Sequence, residues 1–144
     1  MKYSKYFILL MISFIISSCQ KEEVNAPKFD VTSEIPFWSG KYSIKINNDV
    51  KFLIDGKADF ITFYSGESGK EYQYRDRTVL PSGVAVARDK GVAIKGYSDN
   101  NISAYNYPYA AAGTYTATFV AINHTVYGEE KTVVISVPVI VTLQ

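Results

Sequence analysis

The sequence is short of the residues that most often carry chemistry. Its 144 residues include one cysteine and one histidine. A single cysteine excludes an intrachain disulfide and a multi-cysteine metal site. A single histidine, His124, leaves little for metal binding or for a Ser/His/Asp triad. Charge of one sign is lacking too: 15 Lys and Arg face 14 Asp and Glu, for a net charge of +1. Without a basic excess, nucleic acid is not an expected partner. Charged residues make up only 20 % of the chain and hydrophobic ones 47 %, so the composition is that of a folded protein. There is no internal repeat, no low-complexity segment and, after residue 19, no convincing 3.6-residue apolar period.

The usual catalytic motifs are missing as well. No G-x-S-x-G occurs. Residues 65–70 (SGESGK) imitate a phosphate loop, but Tyr64 stands where its first glycine belongs and Glu71 where Ser or Thr should follow the lysine. This stretch therefore reads as a glycine-rich turn. Asp55, Asp59, Glu67, Glu71, Asp76 and Asp89 offer carboxylates for glycoside hydrolysis, yet sequence spacing does not show two of them at a working separation. No acidic spacing fits an EF-hand calcium loop. The expectation is a non-enzyme with no metal and no cofactor.

What is present begins with an address. Residues 1–19 read MKYSKYFILLMISFIISSC: Lys2 and Lys5, an apolar run from Phe7 to Ile16, then small residues before Cys19. The run is about half the ~20 residues a membrane-spanning helix needs, so it reads as a secretory signal peptide over residues 1–18. Ile16-Ser17-Ser18-Cys19 resembles a bacterial lipobox, in which the cysteine is cleaved to the N-terminus and carries the lipid through a thioether. Several acyl chains, palmitate among them, anchor stably where one is marginal. Gln20, Lys21, Glu22 and Glu23 follow at once and resemble the short acidic signal that sends Bacteroidetes-type lipoproteins to the cell surface. The expected partner is thus the membrane, through lipid on Cys19, and the expected location is the outer membrane, lipid-anchored and facing the cell exterior. Residues 20–30 (QKEEVNAPKFD) are polar and aperiodic, so residues 19–34 are expected to be a flexible tether.

Residues 35–144 read as strands. Period-2 alternation predicts them over 41–46 (KYSIKI), 50–55 (VKFLID), 59–64 (DFITFY), 71–75 (EYQYR), 84–87 and 92–95. Residues 56–58 offer a tight connection between the second and third, and 88–91 a hairpin turn between the last two. The clearest signals come last. In 113–122 (GTYTATFVAI), Tyr115, Ala117, Phe119 and Ala121 share one face and Thr114, Thr116, Thr118 and Val120 the other. In 132–141 (TVVISVPVIV), Val133, Ile135, Val137, Val139 and Val141 share a face, and Pro138 marks an edge or a bulge. A loop over 123–131 joins the two and is long enough to be exposed and functional. Many short strands with Gly, Pro and Asn turns predict an all-β antiparallel sandwich, and Gly113-Thr114-Tyr115 suits the tyrosine corner of such folds.

Aromatics are the leading candidates for a ligand site. The chain after the leader keeps ten Tyr, six Phe and Trp38. Tyr105, Tyr107 and Tyr109 fall at i, i+2 and i+4, and Tyr72 and Tyr74 at i and i+2, so an extended backbone sets each row on one face. Trp38 precedes the first expected strand and Tyr127 lies in the 123–131 loop. Such rings stack on sugar faces, at about 1 kcal/mol each; core packing is the competing role. Arg75 and Arg77, flanking Asp76, read either as an anion or sugar contact or as an ion-pair network with Glu67, Glu71 or Asp59.

The segment from Tyr107-Pro108 to Ala112-Gly113-Thr114-Tyr115-Thr116-Ala117-Thr118-Phe119 resembles the end of a PKD-type, Ig-like domain, with Ala112 where that family often has proline. Residues 60–77 occupy the place of the family's W-x-F-G-D-G strand and loop but lack its Trp and Asp. The closer likeness is to a variant found in Bacteroidetes surface lipoproteins beside glycan-uptake systems. The resemblance implies a fold and a location and supplies no catalytic residues. It implies two roles: a non-catalytic glycan-binding module of a polysaccharide-uptake system, in company with other outer-membrane uptake proteins, or a spacer that contacts protein partners.

Overall fold

A computed structural model describes residues 23–38, 41–76, 81–83 and 89–143. The described residues form ten strands: β1 (Lys28–Glu34), β2 (Phe37–Trp38), β3 (Lys41–Tyr42), β4 (Ile44–Lys45), β5 (Asp49–Lys57), β6 (Phe60–Tyr64), β7 (Val92–Lys95), β8 (Ala104–Pro108), β9 (Gly113–His124) and β10 (Glu130–Thr142). The described residues contain no α-helix and one single-turn 3-10 helix, Tyr72–Tyr74. The protein is all-β, as its alternation predicts.

Two sheets face each other. One has the order β1-β5-β8 and the other β4-β10-β9-β6-β7; β2 and β3 form a separate ribbon. Every pairing is antiparallel except β4 beside β10. The core lies where the period-2 pattern puts it. Val50, Phe52 and Ile54 of β5 are buried against Ile61 and Phe63 of β6, Ala117, Phe119 and Ala121 of β9, and Val137, Val139 and Val141 of β10. At the centre Phe52 crosses from the smaller sheet to meet Phe63 and Phe119, with ring centroids 5.7 and 5.1 Å away. Such contacts add about 0.5–1.5 kcal/mol per pair beyond the area they bury.

Several sequence expectations need correction. Residues 28–34 are not tether: they form β1, paired along its whole length with β5 from Lys28↔Lys57 to Glu34↔Lys51. Only Val31 of β1 is fully buried, with Phe29 half-buried on the same face, so two apolar positions amid polar neighbours left the strand inconspicuous. The 41–46 segment breaks at Ser43, whose N–H bonds the Pro36 carbonyl, and its second half joins β10 in parallel. β5 and β6 are not hairpin partners; Ala58 and Asp59 carry the chain from one sheet to the other. The alternating residues 71–75 wind into the 3-10 turn, closed by Tyr74 N–H to the Glu71 carbonyl and Arg75 N–H to the Tyr72 carbonyl. The loop after β9 shrinks to residues 125–129, because β9 runs on to His124 and β10 starts at Glu130. Residues 84–87, and with them the hairpin expected at 88–91, lie mostly outside the described residues.

The registers define two ends. At one lie the start of β1, the end of β5, Asp59, and the tip of the β9–β10 hairpin. Here the Asn123 side-chain amide donates to the Asn25 carbonyl at 3.1 Å. At the other lie the 46–48 turn, the start of β9 and the end of β10, tied by Asn47 N–H to the Tyr109 carbonyl and Ile46 N–H to the Thr142 carbonyl.

Candidate functional site

The tyrosine row of β8 turns inward. Tyr109 is 0 % exposed and Tyr105 and Tyr107 are half-buried, their rings 4.9 and 5.0 Å from Phe63. The Tyr109 phenol donates to the Ser65 carbonyl at 2.9 Å, and its ring stacks on Tyr115 at 4.6 Å. Burial pushes the Tyr109 phenol well above its ordinary pKa and raises Tyr105 as well. Tyr109 therefore cannot present a ring to a sugar: β8 is the outer strand of a three-stranded sheet, and its row closes that side of the core. Tyr115 makes the bond back to upstream backbone that its position suggested, phenol to Ala111 carbonyl at 2.9 Å. Its ring also explains Gly113, where a Cβ would stand 3.1 Å from the phenol.

Tyr107 is held by its hydroxyl. Glu67 Oε2 accepts from the Tyr107 phenol, from Ser65 Oγ at 2.9 Å and from Lys70 Nζ at 3.1 Å. Burial works to raise the Glu67 carboxyl, but those three hydrogen bonds and the Lys70 charge outweigh it and hold the group below its usual range. The Tyr107 and Glu67 bonds in turn raise Lys70. The cluster pins residues 65–70 as a tight loop beyond β6, with Gly66 N–H on the Lys70 carbonyl. Gly66 has φ +79°, and a Cβ there would lie 2.4 Å from the Thr116 carbonyl oxygen. Only glycine lets this loop approach β9 so closely.

That approach makes one wall of a cleft. The outer face of β9 supplies Thr114, Thr116 and Thr118, and β10 supplies Ser136; Gly66, Glu71, Tyr72 and Gln73 rise beside them around about 370 Å³. Thr118 and Ser136 share a hydrogen bond of 3.1 Å across the floor. Among the described residues, Glu71 Oε2 is the buried side-chain oxygen without a hydrogen-bond partner. An unmet buried acceptor costs about 1–3 kcal/mol. The wall itself is braced. Tyr72 packs edge-on to Tyr64 at 5.4 Å, the Arg75 guanidinium sits 4.2 Å over the Tyr72 ring, and the Tyr64 phenol donates to Asp89 at 2.7 Å. Burial, and then Asp89, push the Tyr64 phenol far above its ordinary pKa.

Arg75 thus serves the turn rather than the network expected of it: it pairs with its neighbour Asp76 at 3.9 Å, while Glu67 takes Lys70 and Asp59 takes His124 Nδ1 at 3.0 Å. The Asp59–His124 pair lies at the opposite end from the cleft, against Phe60 and Tyr97. No group of three or more His, Cys, Asp or Glu side chains is placed to hold a metal among the described residues.

Cys19, Gln20, Lys21, Glu22 and Arg77 lie outside the described residues; Glu23 is exposed. The Trp38 backbone pairs with Lys41 at the cleft end, and its side chain is outside what is described. Tyr127 is 85 % exposed at the hairpin tip. The structure therefore does not gather the aromatic candidates into one site. It gathers hydroxyls instead. Their signal was present in the Thr114, Thr116, Thr118 alternation, which marks a polar outer face; the loop that turns this face into a cleft leaves no such mark.

An all-β protein of two facing sheets, with a polar cleft on the larger sheet, is the class these features define. Residues 18–125 match the family described as Domain of unknown function (DUF5017), and the chain belongs to that family. The matched span holds every cleft residue except Ser136. No curated protein and no solved structure matches the chain.

Proposed function

We propose that this chain is a lipid-anchored outer-membrane surface lipoprotein whose PKD-like, Ig-like sandwich is a non-catalytic carbohydrate-binding module of a polysaccharide-uptake system. The cleft carries this reading. Four hydroxyl side chains, a carboxylate and an amide converge on about 370 Å³ beside the Tyr72 ring. A saccharide offers hydroxyls that call for both donors and acceptors, and sites for small ligands start at about 300 Å³. Glu71, with an oxygen still lacking a donor, is the natural acceptor for a sugar hydroxyl. The address supports the location: the apolar run ends in Ser17-Ser18-Cys19, and the family match starts at residue 18. The Tyr115–Ala111 bond supports the Ig-like kinship.

A glycan-array screen of the full chain carrying Cys19→Ala, alongside the same chain with Thr116→Val and Glu71→Gln, tests the ligand. A saccharide retained by the first and lost by the second supports the cleft; retention of none sinks the carbohydrate reading. Replacing Lys21, Glu22 and Glu23 with Ala tests the address. Fatty-acid labelling should persist while access to added protease is lost.

One observation favours the second role, a spacer that contacts protein. Phe37 and Tyr42 are both exposed at the cleft end and meet edge to face at 5.0 Å. Isolated exposed rings are ordinary, but a paired set is a fit anchor for a protein partner. Binding of a partner protein that is lost in Phe37→Ser with Tyr42→Ser, with no glycan retained, would select this role.

A further inference from the structure

The end opposite the cleft exposes a second apolar group. Val126 and Tyr127, at the tip of the β9–β10 hairpin, are 91 % and 85 % exposed, and Tyr97 beside His124 is 65 % exposed. The turn that displays them is well made: Thr125 N–H bonds the Glu129 carbonyl, Gly128 N–H bonds the Thr125 carbonyl, and Thr125 Oγ1 accepts from the Tyr127 and Glu129 N–H groups. The exposure is thus built into a tight hairpin. Both tip side chains are large, and nothing in turn geometry asks for either.

The same end receives the N-terminus. Asn25 is tied to Asn123, two residues before the hairpin loop, and β1 leaves from there. Six residue steps separate Cys19 from Asn25, a reach of at most about 22 Å even when fully extended. β9, with 12 residues, spans about 40 Å. Lipid on Cys19 is therefore within reach of the hairpin end and falls short of the cleft end. We infer that the Val126–Tyr127 tip, with Tyr97, is a second membrane contact that inserts at the lipid headgroup level and holds the cleft pointing away from the membrane. Tyrosine suits that depth, with an apolar ring and a polar tip. The charged residues exposed around it are mixed, Lys28, Lys57 and Lys131 with Glu23, Glu129 and Glu130, so apolar insertion and not a basic patch makes the contact. The inference rests on acylation of Cys19.

The test uses the acylated chain on vesicles of phosphatidylethanolamine and phosphatidylglycerol. Cys19 is the sole native cysteine, so once it is acylated an introduced cysteine is the only free thiol. An environment-sensitive fluorophore on Val126→Cys should shift to the blue and resist an aqueous quencher, while the same probe on Asn48→Cys, in the turn at the cleft end, should not change. Equal quenching at both positions in a chain shown by fatty-acid labelling to be acylated overturns the inference and leaves the anchor intact. If labelling finds no lipid on Cys19, the anchor reading fails by itself and the unacylated chain becomes the test. Vesicle binding that weakens about tenfold or more in Val126→Asp with Tyr127→Asp, and changes little with salt, still supports the tip; no binding overturns it.

Discussion

The two ends of the sandwich are made by the same long strands and differ in what they do with their aromatic side chains. At the cleft end Tyr107, Tyr109 and Tyr115 point inward, stack, and spend their hydroxyls on Glu67, the Ser65 carbonyl and the Ala111 carbonyl. The outer face beside them is polar, the Thr114-Thr116-Thr118 row and its loop wall, and the exposed Phe37–Tyr42 pair is the apolar exception at this end. At the hairpin end Val126 and Tyr127 project outward from the turn, and Tyr97 packs its ring against Phe60 and His124 while staying 65 % exposed. Residue type does not separate the two sets. Position does: a tyrosine facing the opposite sheet becomes core with a satisfied phenol, whereas a tyrosine at a turn stays exposed and is free for an interface.

Substitutions at the two ends should therefore differ most in stability. Tyr109→Ala should destabilise by about 3–5 kcal/mol, as large-to-small changes in a packed core do. Tyr109→Phe should cost about 1–3 kcal/mol, since it leaves the buried Ser65 carbonyl without its donor. Tyr127→Ala should stay within about 0.5 kcal/mol of the parent. Urea unfolding of the three variants checks the order, and equal losses at Tyr109 and Tyr127 would erase the distinction between the ends.

Glycine sharpens the same contrast. Gly66 and Gly128 have nearly the same positive φ, +79° and +83°, but a Cβ meets the Thr116 backbone at the first and open space at the second. Gly128→Ala should cost only the backbone strain, on the order of 1 kcal/mol. Gly66→Ala should cost clearly more and also widen the cleft, visible as a larger loss of unfolding midpoint together with weakened ligand binding.

Acid offers a smaller, signed effect confined to the cleft end. Glu67 titrates below its ordinary 4.5 in the folded chain, so the unfolded chain takes up the proton first. Its stabilising contribution is complete above about pH 4.5 and is lost as pH falls through the folded value. Lys70 titrates above its ordinary 10.5, so its smaller, half-exposed contribution is complete below that pH and is lost as pH rises through the folded value. Glu67→Gln should flatten the acid limb of the urea midpoint against pH. An unchanged limb would mean that Glu67 does not stabilise the cleft end.

Much of this fold was legible in the residues. The faces of β5, β6, β9 and β10 follow from alternation alone, and Tyr115 announced its own hydrogen bond through Gly113-Thr114-Tyr115. β1 was hidden because an outer strand needs only Val31 to be deeply buried. The 71–75 segment misled because alternation of Tyr with polar residues fits a strand, while ring packing of Tyr72 on Tyr64 and Arg75 made the turn preferable. The site was half legible. The tyrosine row was visible, but its direction depends on which sheet lies opposite. The threonine row was visible too, but its role depends on a loop that Gly66 lets close.

Ligand binding compared between the two ends decides whether the cleft is the binding site. A saccharide retained on the array should be titrated calorimetrically into the Cys19→Ala chain, its Thr116→Val variant and its Tyr127→Ala variant, each shown folded by circular dichroism. Thr116→Val should weaken binding about tenfold, the loss of one hydrogen bond to the ligand, while Tyr127→Ala should leave it unchanged. Unchanged binding in Thr116→Val with loss in Tyr127→Ala would contradict it, placing the sugar at the hairpin tip and not in the cleft.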